Sequence, residues 1–110
     1  MILRPRLCPL WAVGVGALLL GASPAAGAPH TYTVVMQQLK FGPLPTGLHK
    51  GDTIVWVNKD LFPHTVTASG AFDSKSIADG HSWEYTATSK GEFPYTCTFH
   101  PTMKATLRVE

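Results

Sequence analysis

The chain has 110 residues, of which 45% are hydrophobic, and its formal charge at pH 7 is +2. This length predicts a single domain. The surplus positive charge comes from Arg4 and Arg6, because from residue 29 onward seven basic residues are balanced by seven acidic ones. This balance leaves no basic patch for a nucleic acid and argues against that class of partner.

The N-terminal segment has the residue order of a secretory signal peptide. Two arginines precede an apolar run over residues 7–22, and small residues follow over 23–28. The apolar core of roughly fifteen residues makes a helix of about 22 Å, shorter than the ~30 Å hydrocarbon core of a bilayer. We therefore predict a signal peptide over residues 1–28, cleaved at about residues 25–28, with a retained anchor as the alternative. The exported domain, residues 29–110, should be periplasmic or secreted, without stable membrane association.

Cleavage of this segment removes Cys8 and leaves Cys97 as a single cysteine. A lone cysteine in an exported chain has no internal disulfide partner. Domains of this size usually need a disulfide, a metal or another staple beyond their small core. Cys97 is therefore either a buried apolar residue or a metal ligand.

Six short segments have the alternation or the β-branched and aromatic content typical of strands. They are residues 32–37, 53–58, 64–68, 82–87, 92–97 and 106–109. Turns rich in Gly, Pro and Asp separate them, and the only helical feature considered is one short turn near residues 74–78. The pattern predicts an all-β antiparallel sandwich or barrel. Pro94 should occupy an edge or irregular position, because proline donates no hydrogen bond to a ladder.

The segment YTCTFHPTM places Cys97, His100 and Met103 at spacings of three. Taken singly, a buried cysteine, a surface histidine and a core methionine are each ordinary structural residues. Together, thiolate, imidazole and thioether make a ligand set that suits copper, although zinc also accepts cysteine and histidine. A trigonal copper site needs a second imidazole, for which His64, next to the stiffening Pro63, is the best candidate.

Two stretches, GDTIVWVNKDLFPHTV and GEFPYTCTFHPTMK, resemble the cupredoxins, the type 1 (blue) copper proteins, and most of all the amicyanin-like members with a short ligand loop. The resemblance implies a Greek-key antiparallel β-sandwich, the cupredoxin fold, that holds one copper ion near one end. It also implies that His64, Cys97 and His100 are equatorial ligands and that Met103 is a long axial ligand.

The residues around these ligands depart from the family in two places. Thr65 stands where many relatives have asparagine, and Ala105 stands where relatives often have glycine. The Thr65 hydroxyl could still tie the two ligand loops together, and its N–H could approach the thiolate. We expect Thr65 and Asn58 to lie just behind the ligands and to hydrogen-bond around them, since such contacts orient ligands and tune a metal.

The resemblance implies a soluble, monomeric one-electron carrier between redox partners of the cell envelope. In the family manner, the ring edge of His100 should reach the surface. Phe62, Pro63, Phe99 and Pro101 could form an apolar rim that docks transiently to a redox protein, or they could be plain loop packing. A c-type cytochrome or a periplasmic dehydrogenase or other oxidoreductase is the expected partner.

Other functional classes have weaker support in the sequence. The alternative function is a copper carrier or storage protein, which would more often expose Met- or His-rich stretches. The chain has no clustered H-x-H pairs of the kind a copper oxidase uses, and no nucleophile-and-base motif. We therefore predict that the protein is not an enzyme.

Overall fold

A computed structural model describes residues 27–110, which fold into eight β-strands in two sheets. The strands are β1 (Thr31–Gln37), β2 (Lys40–Phe41), β3 (Thr53–Asn58), β4 (Thr67–Ala68), β5 (Phe72–Asp73), β6 (Ser82–Thr86), β7 (Gly91–Thr96) and β8 (Lys104–Val109). Within this range no helix could cross a membrane. The predicted signal peptide lies almost wholly outside the described residues and stays a prediction.

The two sheets have the strand orders β2-β1-β3-β6 and β5-β4-β7-β8. The chain crosses between them after β3, after β5 and after β6, as Greek-key chains do. This confirms the predicted all-β sandwich. One pair, β1 with β3, is parallel, while the others are antiparallel. The connection over residues 38–52 permits this pairing, because parallel neighbours need a crossover of about a dozen residues or more.

The core lies between the inner faces of the two sheets. Alternate residues of β1 and β3 are buried, among them Met36, Ile54 and Trp56, because successive strand side chains point to opposite faces. Across the sandwich, the Trp56 indole N–H donates to the Tyr95 hydroxyl at 3.2 Å. Burial raises the pKa of Tyr95 to about 12. This contact joins the sheets and supplies both buried polar atoms with a partner.

The structure differs from the strand prediction in short segments. Of the predicted strand 64–68 only β4 forms, because the backbone of His64 makes an isolated bridge with Ile77 instead. This bridge also replaces the helical turn considered near residues 74–78. The two-residue strands β2 and β5 were missed, since two residues are too few to show a period.

Pro94 lies in β7, opposite Thr106 of β8. On its other side, β7 pairs with β4 only through Thr96, so Pro94 has no partner strand there among residues 27–110. This is the irregular position that the missing N–H of proline predicts.

Asp52 joins two segments at the start of β3. Its buried carboxylate accepts the backbone N–H groups of His30 and His49, each at 2.9 Å. These two hydrogen bonds hold the pKa of Asp52 below its usual value. The ionised carboxylate therefore stabilises the folded chain.

Asp52→Asn should lower the melting temperature at neutral pH, because the neutral amide is the weaker acceptor. The pKa of Asp52 is lower in the folded than in the unfolded protein. The stabilisation by its charge is therefore fully present above the unfolded value of 3.8 and is lost as the pH falls through the folded-state pKa. Thermal unfolding of both proteins between pH 7 and pH 3 measures this. A gap in melting temperature that stays constant down to the lowest pH would contradict the role of the charge.

Candidate metal centre

Two loops at one end of the sandwich carry the four predicted metal ligands. His64 lies in the loop between β3 and β4, whereas the other three lie in the loop between β7 and β8. Cys97 directly follows β7, and Met103 directly precedes β8. Since β3 and β7 belong to different sheets, the arrangement spans the whole sandwich.

Three of these side chains converge on one point. The Cys97 sulfur lies 3.7 Å from Nδ1 of His64 and 3.8 Å from Nδ1 of His100, and the two nitrogens are 3.2 Å apart. From these three distances, the point equally far from all three atoms lies about 2.1 Å from each, close to the ~2.0–2.3 Å that imidazole nitrogen and thiolate sulfur take to zinc. The three donors thus fit a single metal ion of that size.

Met103 closes the same loop. Its N–H donates to the carbonyl of His100 at 2.9 Å, and its own carbonyl accepts the N–H of Cys97 at 3.1 Å. The side chain is buried, with 2% of its surface exposed. The turn is therefore closed by backbone hydrogen bonds that use no ligand atom.

His64 is fixed through both its backbone and its ring. Its N–H and carbonyl bond to Ile77 at 3.1 and 2.7 Å. Its Nε2 lies 2.7 Å from Oδ2 of Asp60, and the imidazole is fully buried. Because an ionised carboxylate only accepts, Nε2 carries the proton and Nδ1 offers its lone pair to the metal position.

The Asp60 carboxylate receives three hydrogen bonds. Partial burial by itself would raise its pKa, but the bonds from His64 and from the N–H groups of Leu39 and Gln38 outweigh burial. The pKa of Asp60 is therefore below its usual value, and the group is ionised at neutral pH.

Thr65 connects the two ligand loops through hydrogen bonds. Its N–H donates to the Cys97 sulfur at 3.3 Å. Its hydroxyl oxygen accepts the N–H of Thr98 at 2.9 Å and the hydroxyl of Thr67 at 3.0 Å. Thr65 therefore contacts both the sulfur of one candidate ligand and the backbone next to it.

Asn58 braces the loop that carries His64. Its side-chain amide donates to the carbonyls of Phe62 and Ile77 at 2.8 and 3.0 Å, and its Oδ1 accepts the N–H of Asp60 at 2.9 Å. The residue is completely buried. It thus acts on the site through the backbone of the loop and not through a ligand atom.

His100 is the most exposed of the four predicted ligands, at an intermediate level. The Phe62 ring lies 5.8 Å from the His100 ring, and both Phe62 and Phe99 are about half exposed, at 47% and 52%. Pro63 and Pro101 are exposed as well. These four exposed apolar residues of the two ligand loops are called the rim below.

The sequence did not point to Asp60, Thr98 or Ile77. Asp60 precedes His64 by four residues. Because histidine ligands commonly donate their second N–H to a carboxylate, this spacing could have predicted the contact. Ile77 acts only through its backbone, so its identity carries no such signal. Leu61, which is 87% exposed beside the rim, was also missed.

A family model described as a cupredoxin-like domain matches residues 10–109. The chain therefore belongs to the cupredoxin-like domain family. The match begins inside the predicted signal peptide, so it does not test the boundary near residues 25–28.

Among curated proteins, amicyanin from Paracoccus versutus is 28% identical over 93 residues, covering 78% of this chain and 70% of that protein. Amicyanin from Paracoccus denitrificans is 30% identical over 66 residues, covering 54% of this chain and half of the relative. The first alignment thus includes most of both proteins.

Solved structures agree with the sequence relatives. The Cu(I) form of an amicyanin variant matches with a TM-score of 0.68 at 25% identity, over 78% of this chain and 88% of that one. A copper-containing nitrite reductase from Thermus scotoductus matches with a TM-score of 0.66 at 28% identity, over 76% of this chain. The match covers only 22% of the reductase, so this chain corresponds to a small part of that larger protein.

Thr65→Val should weaken the tie between the ligand loops, because valine keeps the shape but offers no acceptor to the Thr98 N–H. We expect the metal-free protein to lose about 0.5–1.5 kcal/mol of unfolding free energy. Thr65→Ser keeps the hydroxyl oxygen, so its free energy of unfolding should fall by less. Urea unfolding of the three proteins measures this, and equal midpoints for Val and wild type would show that the tie is not stabilising.

Proposed function

We propose that this protein is a type 1 copper protein that carries single electrons between redox proteins of the cell envelope. The observation that carries the proposal is the triangle of His64, Cys97 and His100, whose donor atoms lie 3.2–3.8 Å apart around one point. When bound there, copper supplies a one-electron couple between Cu(I) and Cu(II). Met103, which is buried and ends the same loop, would help to hold the ion through its thioether, the weakest donor of the four.

The donor set favours copper over zinc. Thiolate and thioether are soft ligands, and divalent copper generally binds such sites more tightly than zinc does. The amicyanin relatives support the same metal, since one of their solved structures is named as a Cu(I) form.

The protein scaffold suits electron transfer because the ligands are held by bonds that do not involve the metal. Ile77 and Asp60 hold His64, and the Thr65 N–H reaches the Cys97 sulfur. Ligands fixed in this way move little when the charge of the metal changes. Small movement lowers the reorganisation that each electron transfer requires.

His100 is the proposed route for the electron. His64, Cys97 and Met103 are almost fully buried, so the His100 imidazole is the ligand closest to solvent. The rim offers an apolar contact around this ring, which suits brief docking to a c-type cytochrome or an envelope oxidoreductase. The balanced charge of residues 29–110 gives no reason for strong long-range steering.

A copper carrier or storage role is the second candidate. The burial of three of the four ligands argues against it, because a carrier must release its metal readily. We therefore favour electron transfer, in the periplasm or outside the cell, and no enzymatic reaction.

Titration of the purified mature protein with Cu(II) should produce intense absorption near ~600 nm, from charge transfer between the thiolate and trigonal copper. Cys97→Ala should abolish this band, because it removes the thiolate. Met103→Leu should keep the band and raise the reduction potential, because the axial ligand helps to set that potential. A colourless wild-type protein at one equivalent of copper, or a blue Cys97→Ala variant, would refute the assignment.

Phe99→Ala should slow electron exchange with a c-type cytochrome several-fold while the reduction potential stays unchanged, because the substitution removes apolar docking area and no ligand. Phe99→Leu retains most of that area and serves as the matched control. Stopped-flow mixing of the reduced protein with the oxidised cytochrome gives the rate. If Ala and Leu variants react as fast as wild type, Phe99 is not part of the docking surface.

A further inference from the structure

The turn between β1 and β2 has an unusual backbone for its sequence. Gln37 pairs with Lys40, so the turn consists of Gln38 and Leu39. These residues have φ values of 56° and 57°, in the left-handed region. Two-residue hairpin turns of this kind strongly prefer Asn-Gly or similar pairs, and a glutamine followed by a leucine is disfavoured there.

Asp60 holds this turn. Its Oδ1 accepts the Gln38 N–H at 2.7 Å, and its Oδ2 accepts the Leu39 N–H at 3.0 Å. A disfavoured backbone persists only where the surroundings over-determine it. The carboxylate, attached 21–22 residues further along the chain, provides that constraint.

The same carboxylate holds a predicted copper ligand. Oδ2 of Asp60 lies 2.7 Å from Nε2 of His64, and only 10% of the Asp60 side chain is exposed. The N–H of Asp60 donates to Asn58, which fixes the backbone from which the carboxylate extends. The carboxylate is thus held from several directions and lies one imidazole ring away from the metal position.

We propose that Asp60 is a positioning residue for His64 and that its negative charge lowers the reduction potential of the copper site. This inference rests on the proposed function. A nearby negative charge favours Cu(II) over Cu(I) by Coulomb attraction, and a carboxylate bonded to a ligating imidazole orients it and increases its basicity. The turn adds rigidity, because the carboxylate that orients His64 is itself anchored on two backbone N–H groups.

A purely structural role is the competing explanation, and Asp52 provides the matched control. Asp52 also accepts two backbone N–H groups, from His30 and His49, at similar distances. No hydrogen bond connects it to any of the proposed ligands. Asp52→Asn therefore reproduces the loss of a structural carboxylate without touching the copper site.

The test compares Asp60→Asn, Asp52→Asn and wild type after loading with one equivalent of Cu(II). At a fixed ambient potential, Asp60→Asn should raise the ratio of Cu(I) to Cu(II) about tenfold, which corresponds to about 59 mV for one electron. Its affinity for Cu(II) should fall about 10–100-fold. Asp52→Asn should leave the potential and the affinity unchanged. Voltammetry and competition with a chelator measure the two quantities.

Asp60→Asn could also destabilise the turn. The same substitution is therefore also made in a variant whose turn is stable without Asp60, which separates the effect on the turn from the effect on the potential. Gln38→Asn with Leu39→Gly makes the turn favourable by itself. Asp60→Asn added to this pair should still raise the potential. An unchanged potential in both backgrounds would overturn the proposal, even if stability falls. A wild-type protein that forms no blue site would refute the proposed function instead, so the two failures are distinguishable.

Discussion

The site depends on holding together two loops that leave different sheets. His64 follows β3 of one sheet, and Cys97 follows β7 of the other. Thr65 connects them, since its N–H meets the Cys97 sulfur and its hydroxyl accepts the Thr98 N–H. The core below contributes through the Trp56 to Tyr95 hydrogen bond, which spans the same two sheets. The converging donor atoms are therefore a consequence of the sandwich and of one threonine.

The strand content was readable from the sequence because alternation directly reflects burial. In β6 the half-buried Trp83 and Tyr85 alternate with exposed polar residues, which is the period of two that the sequence shows. The parallel pairing of β1 with β3 was not readable, because alternation does not reveal the direction of a neighbouring strand. Nor did it reveal the short bridge between His64 and Ile77, which depends on how the chain returns after β5.

The candidate ligands were predicted in a different way, from donor chemistry and spacing. Cys97, His100 and Met103 lie within seven residues, and local sequence dictates their proximity. Asp60 lies only four residues before His64, but its contact with the turn of the β1–β2 hairpin was not apparent, because no short-range pattern connects that turn to the loop of His64. A contact between distant segments becomes visible only once the fold brings them together.

If the protein itself, and not the metal, fixes the ligand geometry, the neighbours of the copper ion should be the same in both oxidation states. X-ray absorption at the copper edge, recorded on one sample before and after reduction, measures them. We expect one short sulfur and two nitrogen neighbours in Cu(I) and in Cu(II), at nearly the same distances. Loss of the sulfur or of one nitrogen on reduction, or a change in coordination number, would show that the metal sets the geometry.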